Sequence, residues 1–83
     1  MKTYEVKPID GRKSFYGKAI VEEQNGAKRL FSYDTLVAKI SEGKVTLYPD
    51  WDYSATTLRH VRAFLEAEGF TATSKKQIAK QYA

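Results

Sequence analysis

The chain has no cysteine among its 83 residues, which removes disulfides and thiolate metal ligands at once. It has one histidine, His60, so a histidine-built metal site is not expected either. No apolar run approaches the roughly 20 residues of a membrane span. The opening Met1-Lys2-Thr3-Tyr4-Glu5-Val6-Lys7 lacks the apolar stretch of a signal peptide. These features lead to the expectation of a cytoplasmic protein. Gly11, Gly17, Gly26, Gly43 and Gly69 stand alone, so no phosphate-cradling loop is written here. No basic block occurs: the adjacent cation pairs are only Arg12-Lys13, Lys28-Arg29 and Lys75-Lys76.

What is present suffices for one core. Hydrophobic residues make up 42% of the chain, with four Phe, six Tyr and one Trp, and aromatics contribute most buried area per residue. A domain of this length buries about 60–65% of the surface its unfolded chain exposes. Residues 1–83 therefore read as a single domain without room for a deep, enclosed active site. The net charge of +4 lies within the ordinary range for soluble domains, about 2–8 in magnitude. It permits polyanion binding without requiring it.

Hairpin chemistry dominates the first half. Residues 3–8 alternate weakly and end at Pro8, as an edge strand would, and Asp10-Gly11 marks a turn. Asn25-Gly26 is the preferred pair for a type I′ turn and joins residues 14–24 to 27–33. A two-residue loop there sets Glu23 opposite Lys28, Glu22 opposite Arg29, Val21 opposite Leu30 and Ile20 opposite Phe31. Opposite charges meet near the turn and apolar pairs further in, each pair worth roughly 0.2–1 kcal/mol. Glu42-Gly43 predicts a second hairpin, with Ile40 opposite Val45 and Ala38 opposite Leu47. Between the two, at Ser32-Tyr33-Asp34-Thr35, the alternation changes phase, which predicts a bulge or kink.

The second half is helical. Ser54 reads as an N-cap, Tyr53 and Leu58 as a hydrophobic staple, and Gly69-Phe70 as a Schellman ending, giving a helix over 54–68. Leu58, Val61, Phe64 and Leu65 form its apolar stripe, while Arg62 and Glu66 are spaced as an i,i+4 pair. Ser74-Lys75-Lys76-Gln77 resembles a capping box and predicts a short helix over 74–82. The expected architecture is α+β: an N-terminal edge strand and two linked β-hairpins, packed against the main helix, with a short C-terminal helix. The expected core is Val21, Leu30, Leu36, Ala38, Ile40, Val45, Leu47, Leu58, Val61, Leu65 and Phe70.

Two stretches carry a resemblance. Phe31-Ser32-Tyr33-Asp34-Thr35-Leu36-Val37-Ala38 and Asp52-Tyr53-Ser54-Ala55-Thr56-Thr57-Leu58-Arg59-His60-Val61, ending in Phe64-Leu65, are similar to a family of small uncharacterised proteins. Members occur in bacterial, largely Firmicute, genomes and their phages and mobile elements. The resemblance covers roughly residues 30–65 and extends to the Ser74-Lys75-Lys76-Gln77 tail. It implies a bacterial or phage accessory setting and carries no known activity or site residues.

Candidate chemistry is sparse. His60 lies one helical turn after Thr56 and Thr57, within reach of a hydroxyl, but no orienting acid or oxyanion hole is recognisable. It is better read as a boundary histidine that packs on the sheet or bonds a backbone carbonyl. Asp34, Asp50 and Asp52 lack the companion ligands and central glycine of a calcium loop. Asp50 and Asp52 are better read as complementing the following helix's dipole. Ser32–Thr35 is either an exposed recognition edge or a turn whose side chains satisfy local backbone groups. No catalytic residue, cofactor or metal is expected.

Two functional expectations follow. A sheet covered on one face leaves the other partly open, and Phe31, Tyr33, Asp34, Val37, Tyr48 and Trp51 are the candidate interaction surface. This predicts a non-enzymatic protein-interaction module, homodimeric or bound to a protein partner. The alternative is a nucleic-acid-binding module. Its basic and aromatic sheet face, which also includes Tyr16, would use Lys18, Arg29 and Tyr33, with Lys75, Lys76 and Lys80 on phosphates.

Overall fold

A computed structural model describes residues 1–9, 15 and 17–83. The expected Asp10-Gly11 turn, and Ser14 and Tyr16 of the first predicted hairpin, lie outside the described residues.

The hairpin signals build a five-stranded antiparallel sheet. Its strands are β1 (Lys2–Glu5), β2 (Ala19–Gln24), β3 (Ala27–Ser32), β4 (Thr35–Ser41) and β5 (Lys44–Leu47), lying side by side in chain order. β1 is an edge strand, as its short, weakly patterned sequence suggests. The β2–β3 register is the one the charge pairs require: Glu23 faces Lys28, Glu22 faces Arg29 and Val21 faces Leu30. Asn25 and Gly26 both take positive φ, as a type I′ turn demands, and Glu42-Gly43 repeats the geometry between β4 and β5.

The phase break resolves into two features. Tyr33 and Asp34 form a third tight turn, with φ of 50° and 68°. Beyond it, Phe31 pairs with Leu36 but Leu30 pairs with Ala38, leaving Val37 as the extra residue of a β-bulge. The bulge turns Val37 and Ala38 both into the core, and Leu36 outward to a half-buried position. Hence Leu36, expected in the core, lies on the other face. Val37, expected on an exposed surface, is 1% exposed. The Val37 carbonyl still accepts from the Tyr48 amide at 3.0 Å, so the ladder closes around the extra residue.

One face of the sheet packs on helices. Its central row runs Tyr4, Val21, Leu30, Ala38, Leu47 across all five strands. Helix α1 (Ala55–Ala67) lays Val61, Ala63, Phe64 and Leu65 on it, all fully or almost fully buried. Burying each large apolar side chain contributes roughly 1.5–3 kcal/mol before entropy. Ser54 caps α1 by accepting from the Thr57 amide. At the other end Phe70 N–H bonds the Leu65 carbonyl and Gly69 N–H the Glu66 carbonyl, a complete Schellman motif with Gly69 at φ +86°.

Helix α2 (Lys75–Tyr82) docks on the same body. Ile78 is wholly buried, Phe70 and Tyr82 meet edge to face at 6.2 Å, and Tyr82 Oη donates to the Thr71 carbonyl. The expected capping box forms with a one-residue offset: Gln77 Oε1 accepts from Thr73 N–H, while Ser74 Oγ accepts from Gln77 N–H. Arg62 and Glu66 both reach Ala72 of the connector, one at its carbonyl and one at its amide. Trp51, expected on the surface, is 8% exposed and belongs to the core. Turns that close Trp51 N–H on the Tyr48 carbonyl and Tyr53 N–H on the Asp50 carbonyl fold this segment inward.

Candidate functional site

A cleft opens where the Tyr33-Asp34 turn meets the N-terminal end of α1. It encloses about 610 Å³ and is lined by residues of three segments: Ser32, Tyr33, Thr35 and Val37; Asp50; and Tyr53, Ser54, Thr56 and Thr57. The local sequence explains the placement. Ser54 stops α1 at its cap, so Ser54, Thr56 and Thr57 sit in the first turn. The two-residue turn returns Thr35 beside Ser32.

The floor of the cleft is a buried polar cluster. Ser32 lies on the inward face of β3, directly under α1, and is 2% exposed. Its Oγ is 2.7 Å from His60 Nδ1 and donates to Thr57 Oγ1 at 3.2 Å. Ser54 Oγ donates to the same Thr57 oxygen at 3.2 Å. A chain of hydroxyls thus runs from exposed Ser54, through Thr57 and Ser32, to His60. His60 itself is 0% exposed, and its other ring nitrogen, Nε2, has no hydrogen-bond partner among the described residues. Phe15 meets the imidazole edge to face at 4.4 Å, and Tyr33 lies tilted against it at 5.6 Å. Burial among these groups pushes the imidazole pKa down from 6.5 to about 4, because the cation would lose its water.

His60 therefore bonds a side-chain hydroxyl, where the sequence suggested a backbone carbonyl. It is interior, where the sequence suggested a boundary position. The Ser32–His60 contact brings together residues 28 apart in sequence, and only the inward parity of Ser32 hinted at it. A neutral imidazole with a bare Nε2, no charged partner and a nearly inaccessible Ser32 is a poor general base. The arrangement reads chemically as a polar clamp between sheet and helix.

The candidate interaction residues divide. Phe31 is half-buried on the sheet face that none of the described helices covers, and Tyr48 is half-buried. Tyr33 is 52% exposed, but its ring turns to His60 and the cleft. Asp34 is exposed at the turn. Val37 and Trp51 are core residues and offer no surface. Sequence reasoning missed Ile20 and Leu36 as neighbours of Phe31, and it missed Tyr53, 81% exposed, on the cleft rim.

The candidate nucleic-acid contacts also divide. Lys18 is exposed, with its carbonyl bonded to Tyr33 N–H. Arg29 lies on the uncovered sheet face, flanked by Glu22 and Lys39. Lys75, Lys76 and Lys80 belong to α2 in the opposite layer, and Lys75 pairs with Asp52 at 3.4 Å. Tyr33 does not share the Arg29 surface, because its turn carries it to the helical side. Among the described residues no group of three or more His, Asp or Glu is placed to hold a metal ion, and no helix is long and apolar enough to cross a membrane.

Comparison with known proteins adds family membership alone. No curated protein and no solved structure matches the chain. A family model described as a family of unknown function (DUF8033) matches residues 4–80, nearly the whole of the chain and every element of the fold, and the protein belongs to that family.

Proposed function

We propose that the protein is a small non-enzymatic interaction module that associates with a second copy of itself through the uncovered face of its sheet. The observation that carries the reading is the register on that face. Ile20, Phe31 and Leu36 are aligned as cross-strand neighbours and stay only partly buried, although three adjacent large apolar side chains would gain by full burial. The next row is Thr3, Glu22, Arg29, Lys39, Thr46. Its charges are of both signs. A two-fold axis near Phe31 would set Glu22 of one copy against Arg29 or Lys39 of the other, as an isologous interface requires. Two such faces would pack about 10 Å apart, like the sheets of a sandwich.

The same row weighs against a nucleic-acid surface, since Glu22 sits beside Arg29 and Lys75, Lys76 and Lys80 lie in the helical layer. Resemblance to small Firmicute and phage proteins supports an accessory role in the bacterial cytoplasm.

Light scattering after size exclusion tests the proposal. A dimer whose population rises with concentration is expected, and Phe31→Glu should return it to a monomer with unchanged circular dichroism. A monomer at every concentration up to about 200 μM, where interfaces of even weak affinity populate, would refute it. Salt-sensitive anisotropy of labelled DNA or RNA would instead move the assignment to the basic residues.

A further inference from the structure

We propose that the cleft between the Tyr33-Asp34 turn and the start of α1 binds one neutral sugar residue. The cleft's volume, about 610 Å³, lies within the range of small-molecule sites and holds a sugar ring with its hydration.

Its chemistry is unusually uniform. Ser32 and Thr57 on the floor spend their hydroxyls on His60 and each other. The hydroxyls of Tyr33, Thr35, Tyr53 and Thr56 remain on the walls and rim, each able to donate and to accept. Among the described residues, the single acidic or basic side chain in the lining is Asp50, an acceptor that can take two donors at once. Opposite in sign is the start of α1. Its first bonds are Thr57 N–H to Ser54 Oγ and Leu58 N–H to the Ser54 carbonyl, so the Ala55 and Thr56 amides remain as donors at the positive end of the helix.

These two fields select against charge. An anion drawn to the helix start meets Asp50, and a cation drawn to Asp50 meets the helix start. A neutral ligand with adjacent hydroxyls satisfies both, donating to the carboxylate and accepting from the amides. Tyr33 and Tyr53, at 52% and 81% exposure, are two of the four exposed large hydrophobics among the described residues, and both line this cleft. Aromatic rings at the rim offer apolar faces to the C–H side of a pyranose. Tyr33 is held there at φ 50°, in a turn position where asparagine or glycine would be relaxed. Such strain in a bulky residue is found where the side chain's position matters.

Amide chemical-shift titration of the full chain tests the inference. The probes are glucose, galactose, mannose and N-acetylglucosamine, each taken to about 50 mM to reach the millimolar affinities of single sugar rings. The expected result is saturable shifts at Ser32–Thr35 and Ser54–Thr57 for at least one of them. Asp50→Asn and Tyr53→Ala, both at exposed positions, should each weaken binding by about tenfold or more without altering the rest of the spectrum. Retention on an immobilised polysaccharide, lost in Tyr53→Ala, without response to free sugars would identify the ligand as the terminal residue of a glycan. Flat titrations together with no retention overturn the proposal. So do shifts confined to other residues, binding unchanged in both variants, or preference for glucosamine or galacturonate over the neutral sugars.

Discussion

Acidification should destabilise this protein through one residue. In the folded state His60 is neutral, fully enclosed, and wrapped by Phe15, Tyr33, Ser32 and Thr57, with no charged group contributing to its shift. Its pKa falls from 6.5 to about 4. The unfolded chain therefore binds a proton between those values while the native state does not, so stability rises with pH across the window. The contribution is complete above pH 6.5, shrinks as pH falls, and is fully lost below about 4. At 1.36 kcal/mol per pH unit, the total is about 3 kcal/mol, a large share of the 5–15 kcal/mol typical of a domain. Urea unfolding at several pH values between 7.5 and 4.5, followed by fluorescence of the buried Trp51, measures it. His60→Gln supplies the reference, since its curve keeps every other titration and loses this one. The difference between the two proteins should narrow steadily on acidification. Parallel curves, or a His60 ring resonance that titrates above pH 6 in the native state, would refute the reasoning.

Other perturbations act on single features. Ser32→Ala should cost about 1–3 kcal/mol, because it strands the His60 Nδ1 in the interior as well as removing a hydroxyl; thermal unfolding reads this. Replacing Tyr33-Asp34 by Asn-Gly should raise stability by about 1 kcal/mol by relaxing two positive-φ residues, while removing an aromatic wall of the cleft. Gly69→Ala should destabilise by about 1 kcal/mol from its φ of +86°, although the space around a Cβ there is open. Ending the chain at Thr73 removes the buried Ile78 and the Tyr82 bond to Thr71, and should cost several kcal/mol. A truncated chain as stable as the full one in urea would show that α2 contributes little.

The fold was legible where local chemistry was strong. Asn25-Gly26 and its flanking charge pairs determined the β2–β3 register, and Ser54, Gly69 and Phe70 marked the limits of α1. Tyr33-Asp34 was ambiguous, since Asp34 suits a type I′ turn but Tyr33 does not carry its usual signature. The bulge at Val37 was legible as a phase break. Which residue it would turn inward was not, because that depends on where the ladder slips. Trp51 illustrates a different limit. Its burial comes from two turns in a connector with no periodicity to read. The His60 cluster needed tertiary structure, since β3 and α1 each contribute only part of it.

The placement of these exceptions suggests why they persist. An apolar residue at position 60 would avoid a bare nitrogen in the core, and Asn-Gly at 33–34 would avoid two strained φ angles. Both departures border the same cleft. His60 holds Ser32, Ser32 holds Thr57, and Thr57 binds the cap of α1 through both its amide and its hydroxyl. This chain joins the central strand to the helix start by hydrogen bonds between the cleft's two walls. The Tyr33 ring lies over the imidazole, which places the strained turn on the same support. A site whose walls are tied through a buried hydrogen-bonded network loses little ordering entropy when a small ligand enters.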